Sequence, residues 1–217
     1  MYGDAKRNGK IYKYVRKTPV IGGIFRVANA YAYKGKKECN ARIAPLGSWW
    51  DRIFKKAVYI LFFVELVVLL NNGSISEIKW EPADTIISVF PSILGFGIGV
   101  FALLFIMPES FLAFVVDNEK KLNFGPEMVP VDIAYPLVVF TLSLAWAVIY
   151  KIFPNELTFF ISMFVFFYGL TMAFELISFL LNSSLLIQKI SIKKRKEIKK
   201  KEDESKLKER LKRKFIK

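Results

Sequence analysis

Residues 86–107 read IISVFPSILGFGIGVFALLFIM, a stretch without one charged side chain. At about 1.5 Å per helical residue it is long enough to cross a hydrocarbon core of roughly 30 Å. Within it Ser88, Ser92, Gly95, Gly99 and Ala102 follow at steps of four, three, four and three, the spacing that gathers positions on one face of a helix. In lipid, a smooth face of small residues lets a second helix approach closely. The stretch therefore reads as a membrane span made for packing. It is expected to be the structural centre around which other spans bring their polar groups. Gly95, Gly97 and Gly99 spell GxGxG, but no strand–turn–helix unit surrounds them, so a phosphate loop is not implied. The same glycines with Pro91 weaken the helix, and a hinge or pore-lining element is the narrower alternative.

Working outward, three further apolar stretches lie near 53–70, 133–150 and 157–181. The expectation is an all-α integral membrane protein. It has four transmembrane helices within residues 53–182, a basic cytoplasmic or interfacial region at 1–52 and a basic cytoplasmic helix or tail at 183–217. Trp49 and Trp50 stand before the first span as interfacial anchors, and Lys55 and Lys56 can snorkel. KIFPNE, residues 151–156, is too short for anything but a tight turn between the third and fourth spans.

Charge orients the array. Residues 1–56 hold 14 Lys and Arg and residues 183–217 hold 15, against Lys79 alone in 71–85, Lys120 and Lys121 in 108–131, and Lys151 in the last turn. Two strongly basic ends place both termini in the cytoplasm, and an even number of crossings agrees. No secretory signal is read at the N-terminus, so the first span is expected to act as an internal signal-anchor.

Hydrophobic residues make up 53% of the chain and the net charge is +14, so charge and apolar blocks are segregated. There is no His and one cysteine, Cys39, which argues against zinc, two-metal and Ser-His-Asp chemistry. No catalytic residue, metal site or cofactor is expected.

Two carboxylates fall inside spans, Glu65 in the first and Glu175 in the fourth. A charge at that depth costs about 2.5–3.5 kcal/mol on insertion scales and normally faces the bundle interior or water. No basic residue within a span stands ready to neutralise either one. Tyr168, Thr171, Glu175, Ser178 and Asn182 share one face of the fourth helix. Interhelical hydrogen bonding, a cation or proton path, and simple hydration at the boundary are the three readings. Asp117, Glu119 and Asp132 lie on the cytoplasmic side, either paired with the basic terminal regions or, as loop acids usually are, simply solvated.

Ahead of the first span, VIGGIFRVANAYAY (residues 20–33) is an apolar helix candidate. Thr18 is its cap, Pro19 its first residue and Gly35 its end. It is too short to span, and is expected in the interface or against the cytoplasmic ends of the bundle, a soluble partner's groove being the alternative. The tail carries net +10, with Lys193, Lys194, Arg195, Lys196, Lys199, Lys200 and Lys201 as its densest basic surface. A solvated helix leaving the fourth span near anionic headgroups is the plain reading. Nucleic acid or an acidic protein surface is the alternative, and with one aromatic in the tail, base stacking is not indicated.

FPSILGFGIGVFALLF, Phe90 to Phe105, resembles a segment of small bacterial four-span membrane proteins. Membrane components of anti-phage systems, the Kiwa membrane subunit among them, share that plan. The resemblance covers one helix, and carries over no site residue. It implies an oligomeric inner-membrane protein that senses damage or recruits a cytoplasmic protein partner in phage defence.

The expected function is thus a non-enzymatic membrane sensor or scaffold that self-associates through its small-residue face. A channel or pore using Glu65 or Glu175 is the competing class. A membrane-embedded enzyme would have only Glu175 and nearby hydroxyls to work with.

Overall fold

The computed structural model describes residues 2–71, 75, 78–103 and 128–215. They form helices and short connections, with no strand among them. The helices are α1 (Tyr2–Arg16), α2 (Ile21–Ala32), α3 (Leu46–Trp49), α4 (Lys55–Leu70), α5 (Pro82–Leu103), α6 (Met128–Ile152) and α7 (Glu156–Phe215). A π-helical turn, Trp50–Phe54, joins α3 to α4 without a break.

Three helices are long and apolar enough to cross a membrane, at Pro82–Ala102, Met128–Ile152 and Glu156–Leu185. The first expected span is helical, but α4 has 16 residues, about 24 Å and short of a 30 Å core. The expected end of the second span at Met107 and the middle-loop acids Asp117 and Glu119 lie outside the described residues.

The centre of the molecule is α6, not the 86–107 stretch. In α6, 44% of the apolar window is buried, against 17% in both α5 and α7, because α6 alone packs against α2, α5 and α7 together. α5 turns Ala83, Ile86, Phe90 and Gly97 toward it and α7, and runs on through Pro91. α4 docks on α7 and leaves Tyr59, Phe62, Leu66 and Leu69 outside. A layer of rings ties these helices midway along. Phe90 meets Phe140 edge-on with centroids 5.3 Å apart, Phe63 meets Phe167 at 4.9 Å and Trp80 meets Phe166 at 5.1 Å. Phe90 seats in a notch at Gly169, where a Cβ would stand 2.5 Å from the ring.

The tight turn between α6 and α7 is present. Asn155 Oδ1 accepts from the Thr158 amide at 2.9 Å, while Thr158 Oγ1 accepts from the Asn155 amide at 3.0 Å, a reciprocal cap that starts α7. α7 then continues for 60 residues as one helix.

The N-terminal region departs from expectation in two places. Residues 2–16, read only as a basic segment, form α1. Thr18 does not cap α2, which begins at Ile21 after Val20 in a positive-φ conformation (φ 62°). The reason is the tight reversal from α1. The backbone of Gly22 presses so closely on the Arg16 carbonyl that any Cβ would collide with it. Gly35 does end the segment, at φ 63° with its amide bonded to the Ala30 carbonyl at 3.0 Å. Buried Asn29 pins the following loop: its side-chain amide donates to the carbonyls of Cys39 (3.0 Å) and Arg42 (2.8 Å), and its oxygen accepts from the Ala44 amide (2.7 Å).

Candidate functional site: a charge and tyrosine cluster

At the end of the bundle where α4 and α6 begin, five segments converge on Tyr31. α2 supplies Tyr31, the π turn Arg52, α4 Lys56, α6 Asp132 and Tyr135, and α7 Tyr168 and Glu175. The tyrosine donates its hydroxyl proton to Glu175 Oε2 at 2.6 Å and accepts from Lys56 Nζ at 2.9 Å. Lys56 also pairs directly with Glu175, and Arg52 with Asp132. The Tyr31 ring lies 4.1 Å from that of Tyr135 at an interplanar angle of 9°, and the Arg52 guanidinium stands 4.0 Å from its centroid. The Tyr135 and Tyr168 hydroxyls share a hydrogen bond at 2.9 Å.

Local sequence explains how the cations reach the ring. Arg52 and Lys56 are four residues apart, one helical turn, and the wider π turn that carries Arg52 feeds directly into α4. Arg52 then lies over the Tyr31 ring, whose face attracts it, while Lys56 reaches the hydroxyl edge, its Nζ 5.3 Å from the centroid. Two cations and two carboxylates balance. This corrects the expectation that nothing neutralises Glu175, since Lys56 does so from the foot of α4 instead of snorkelling. Of the two readings of Asp132, it is pairing with the basic N-terminal region that the structure shows, since Asp132 is buried against Arg52 rather than solvated.

The phenol of Tyr31 is pushed above its ordinary value chiefly by burial, with Arg52 opposing and Glu175 reinforcing. It therefore stays protonated and serves as donor to Glu175 over the neutral range. Nothing here resembles an activated nucleophile; the arrangement is a clasp joining five segments.

The other expected residues are scattered. Thr171 Oγ1 donates to the Phe167 carbonyl at 2.9 Å within its own helix, and Ser178 and Asn182 are exposed. The expected polar stripe thus contributes only Tyr168 and Glu175 to the cluster. Glu65 is exposed on the outer face of α4 and does not approach Glu175's partners. Ser88, Ser92, Gly95, Gly99 and Ala102 are all exposed, and among the described residues a Cβ at Gly95 or Gly99 would meet no atom within 4 Å. The small face is turned away from the bundle, and Gly97, beside it in sequence, takes the internal contact with Leu137. On the continuing α7, Arg195, Lys196 and Lys199 are exposed; the side chains of Lys193, Lys194, Lys200 and Lys201 lie outside the described residues.

Tyr31 and Arg52 were not singled out from the sequence, and Asp132 was named without a site. For Asp132 the available signal was a lone charge among apolar neighbours, as in VPVDIAY; Arg52, beside Asp51 in WDRIF, and Tyr31 carried no such mark. Comparison with family models, curated proteins and solved structures finds no match.

Proposed function

We propose that this chain is a non-enzymatic, oligomeric membrane sensor or scaffold that recruits a cytoplasmic protein partner. In this reading it crosses the bilayer four times with both termini in the cytoplasm. One observation carries it. A stripe of five small residues lies on a candidate span, points away from its own bundle, and has open space at Gly95 and Gly99. In lipid that combination favours helix-to-helix contact with another copy. The fourth crossing is supported by the unbroken helical run from Leu46 to Leu70, 25 residues or about 37 Å. Recruitment is supported by the basic tail, which continues from the last span as a helix. A bacterial inner membrane and a role in phage defence follow from the Phe90–Phe105 resemblance only.

The test is the double substitution Gly95→Leu, Gly99→Leu. Neither side chain meets an internal neighbour, so the fold should lose no more than about 0.5 kcal/mol. Native mass measurement in mild detergent should show the assembly falling to single chains. An unchanged assembly mass sinks the proposal.

A pore is the second reading, favoured by one observation: Glu65 is exposed on the outside of α4, where an ionised carboxylate requires water or a partner. Glu175, clasped by Lys56 and Tyr31, drops out of that pathway. Ion flux into liposomes that Glu65→Gln abolishes would favour the pore; no flux from the wild-type chain removes it.

A further inference from the structure

Between α6 and α7 runs a groove of about 470 Å³, roofed at one end by α2. Ile24 and Ala28 form the roof, Leu142, Trp146 and Ile149 one wall, and Phe164 the other. Its size falls in the range of ligand sites, and its lining is overwhelmingly apolar. The few polar atoms in it are mostly paired with one another or with backbone. The Tyr135 and Tyr168 hydroxyls bond each other, Ser143 Oγ donates to the Val139 carbonyl at 2.8 Å, and Trp146 Nε1 donates to Ser162 Oγ at 3.2 Å. One hydroxyl proton of the tyrosine pair is the donor left over among these groups, too little to hold water along the groove, so an apolar occupant suits it better.

We infer that the groove binds one acyl chain of a bilayer phospholipid. Three observations converge. The groove opens on the outside of two candidate spans, with Leu142 and Ile149 each 44% exposed at its rim, so in the membrane its mouth faces lipid. Along α6 it extends from Tyr135 to Ile149, about 21 Å, more than the roughly 15 Å of hydrocarbon in one leaflet. And it is walled by three helices rather than two. The acyl chain therefore touches α2, the same helix that carries Tyr31, and lies against Tyr135 and Tyr168, two of the clasp's own tyrosines. An ordinary lipid on the outer surface makes no such contact. The inference does not depend on oligomerisation and goes beyond the scaffold reading.

The experiment uses the full chain, extracted in mild detergent and examined by native mass measurement, with the Gly95→Leu, Gly99→Leu form alongside so that a lipid held between copies is told apart. One adduct of phospholipid mass per chain is expected in both. Ala28→Phe and Leu142→Trp fill the groove from different helices and should each lower its occupancy at least five-fold, while Leu61→Trp on the outer face of α4 should leave it unchanged. If a filling variant fails to fold, the wild-type chain is reconstituted with phospholipid brominated in mid-chain. The chain has four tryptophans, so the groove signal is the part of the quenching that Trp146→Phe removes, and that part should saturate at a low brominated fraction. Absence of an adduct, equal occupancy in folded groove-filling variants, loss of the adduct with oligomerisation, an adduct of free fatty-acid mass, or quenching that merely tracks the brominated fraction would each overturn the inference.

Discussion

The two ends of the helical bundle handle charge in opposite ways. At the clasp end, Arg52 and Asp132 keep only 18% and 10% of their side-chain surface, and Lys56 and Glu175 are half-buried around Tyr31. At the other end Lys151 pairs with Asp84 at 2.8 Å, but the two retain 43% and 65% exposure, and Tyr150 reaches Glu81 at 3.4 Å. The chemical groups are the same; the surroundings differ. A pair taken out of water cannot lose one member without stranding the other, whereas a pair left in water can. The clasp end is therefore where α2, the π turn and the foot of α4 are committed to the bundle, and the far end can vary.

Asp132→Ala offers the largest effect by which to break this contrast. It strands the Arg52 guanidinium and should cost about 3–5 kcal/mol, read as chemical unfolding of the full chain in detergent. Arg52→Met combined with Asp132→Leu should recover most of the loss. If the double variant is as unstable as the single one, the charge is not what matters.

Tyr31→Phe should come next, at about 1 kcal/mol for the lost hydrogen bonds, with α2 amides exchanging faster. Its pH behaviour sharpens the point. The folded phenol has a raised pKa, so the folded state keeps its proton when the unfolded chain begins to lose it near pH 10. Stability is fully present below that value and falls as pH rises above it. Tyr31→Phe should remove this part of the alkaline decline.

Lys151→Ala should cost no more than about 1 kcal/mol, because its partner is mostly hydrated. A loss as large as that of Asp132→Ala, measured in the same titration, would erase the distinction between the ends.

Much of the fold was legible in the sequence for a simple reason: α5, α6 and α7 are long apolar runs, and the Asn155–Thr158 cap and Gly35 are local signals. The small stripe in α5 was equally legible, but periodicity identifies a face without saying what it meets. Gly97 rather than Gly95 or Gly99 turned out to face the bundle. The clasp was hidden because its decisive hydrogen bond, Tyr31 to Glu175, joins residues 144 positions apart. No window of sequence contains both. Burial of Asp132 likewise depends on α2 and the π turn arriving beside α6, a tertiary event that overrode the usual solvation of an acid at a helix start.

The length of α7 has a mechanical consequence. Glu175 is held at the clasp, and the same helix continues forty residues to Phe215, about 60 Å. A continuous helix of that length is a lever: a tilt of about 5° at Glu175 carries its far end about 5 Å sideways. A rearrangement too small to open the packed helices is thereby delivered, enlarged, to whatever meets the tip.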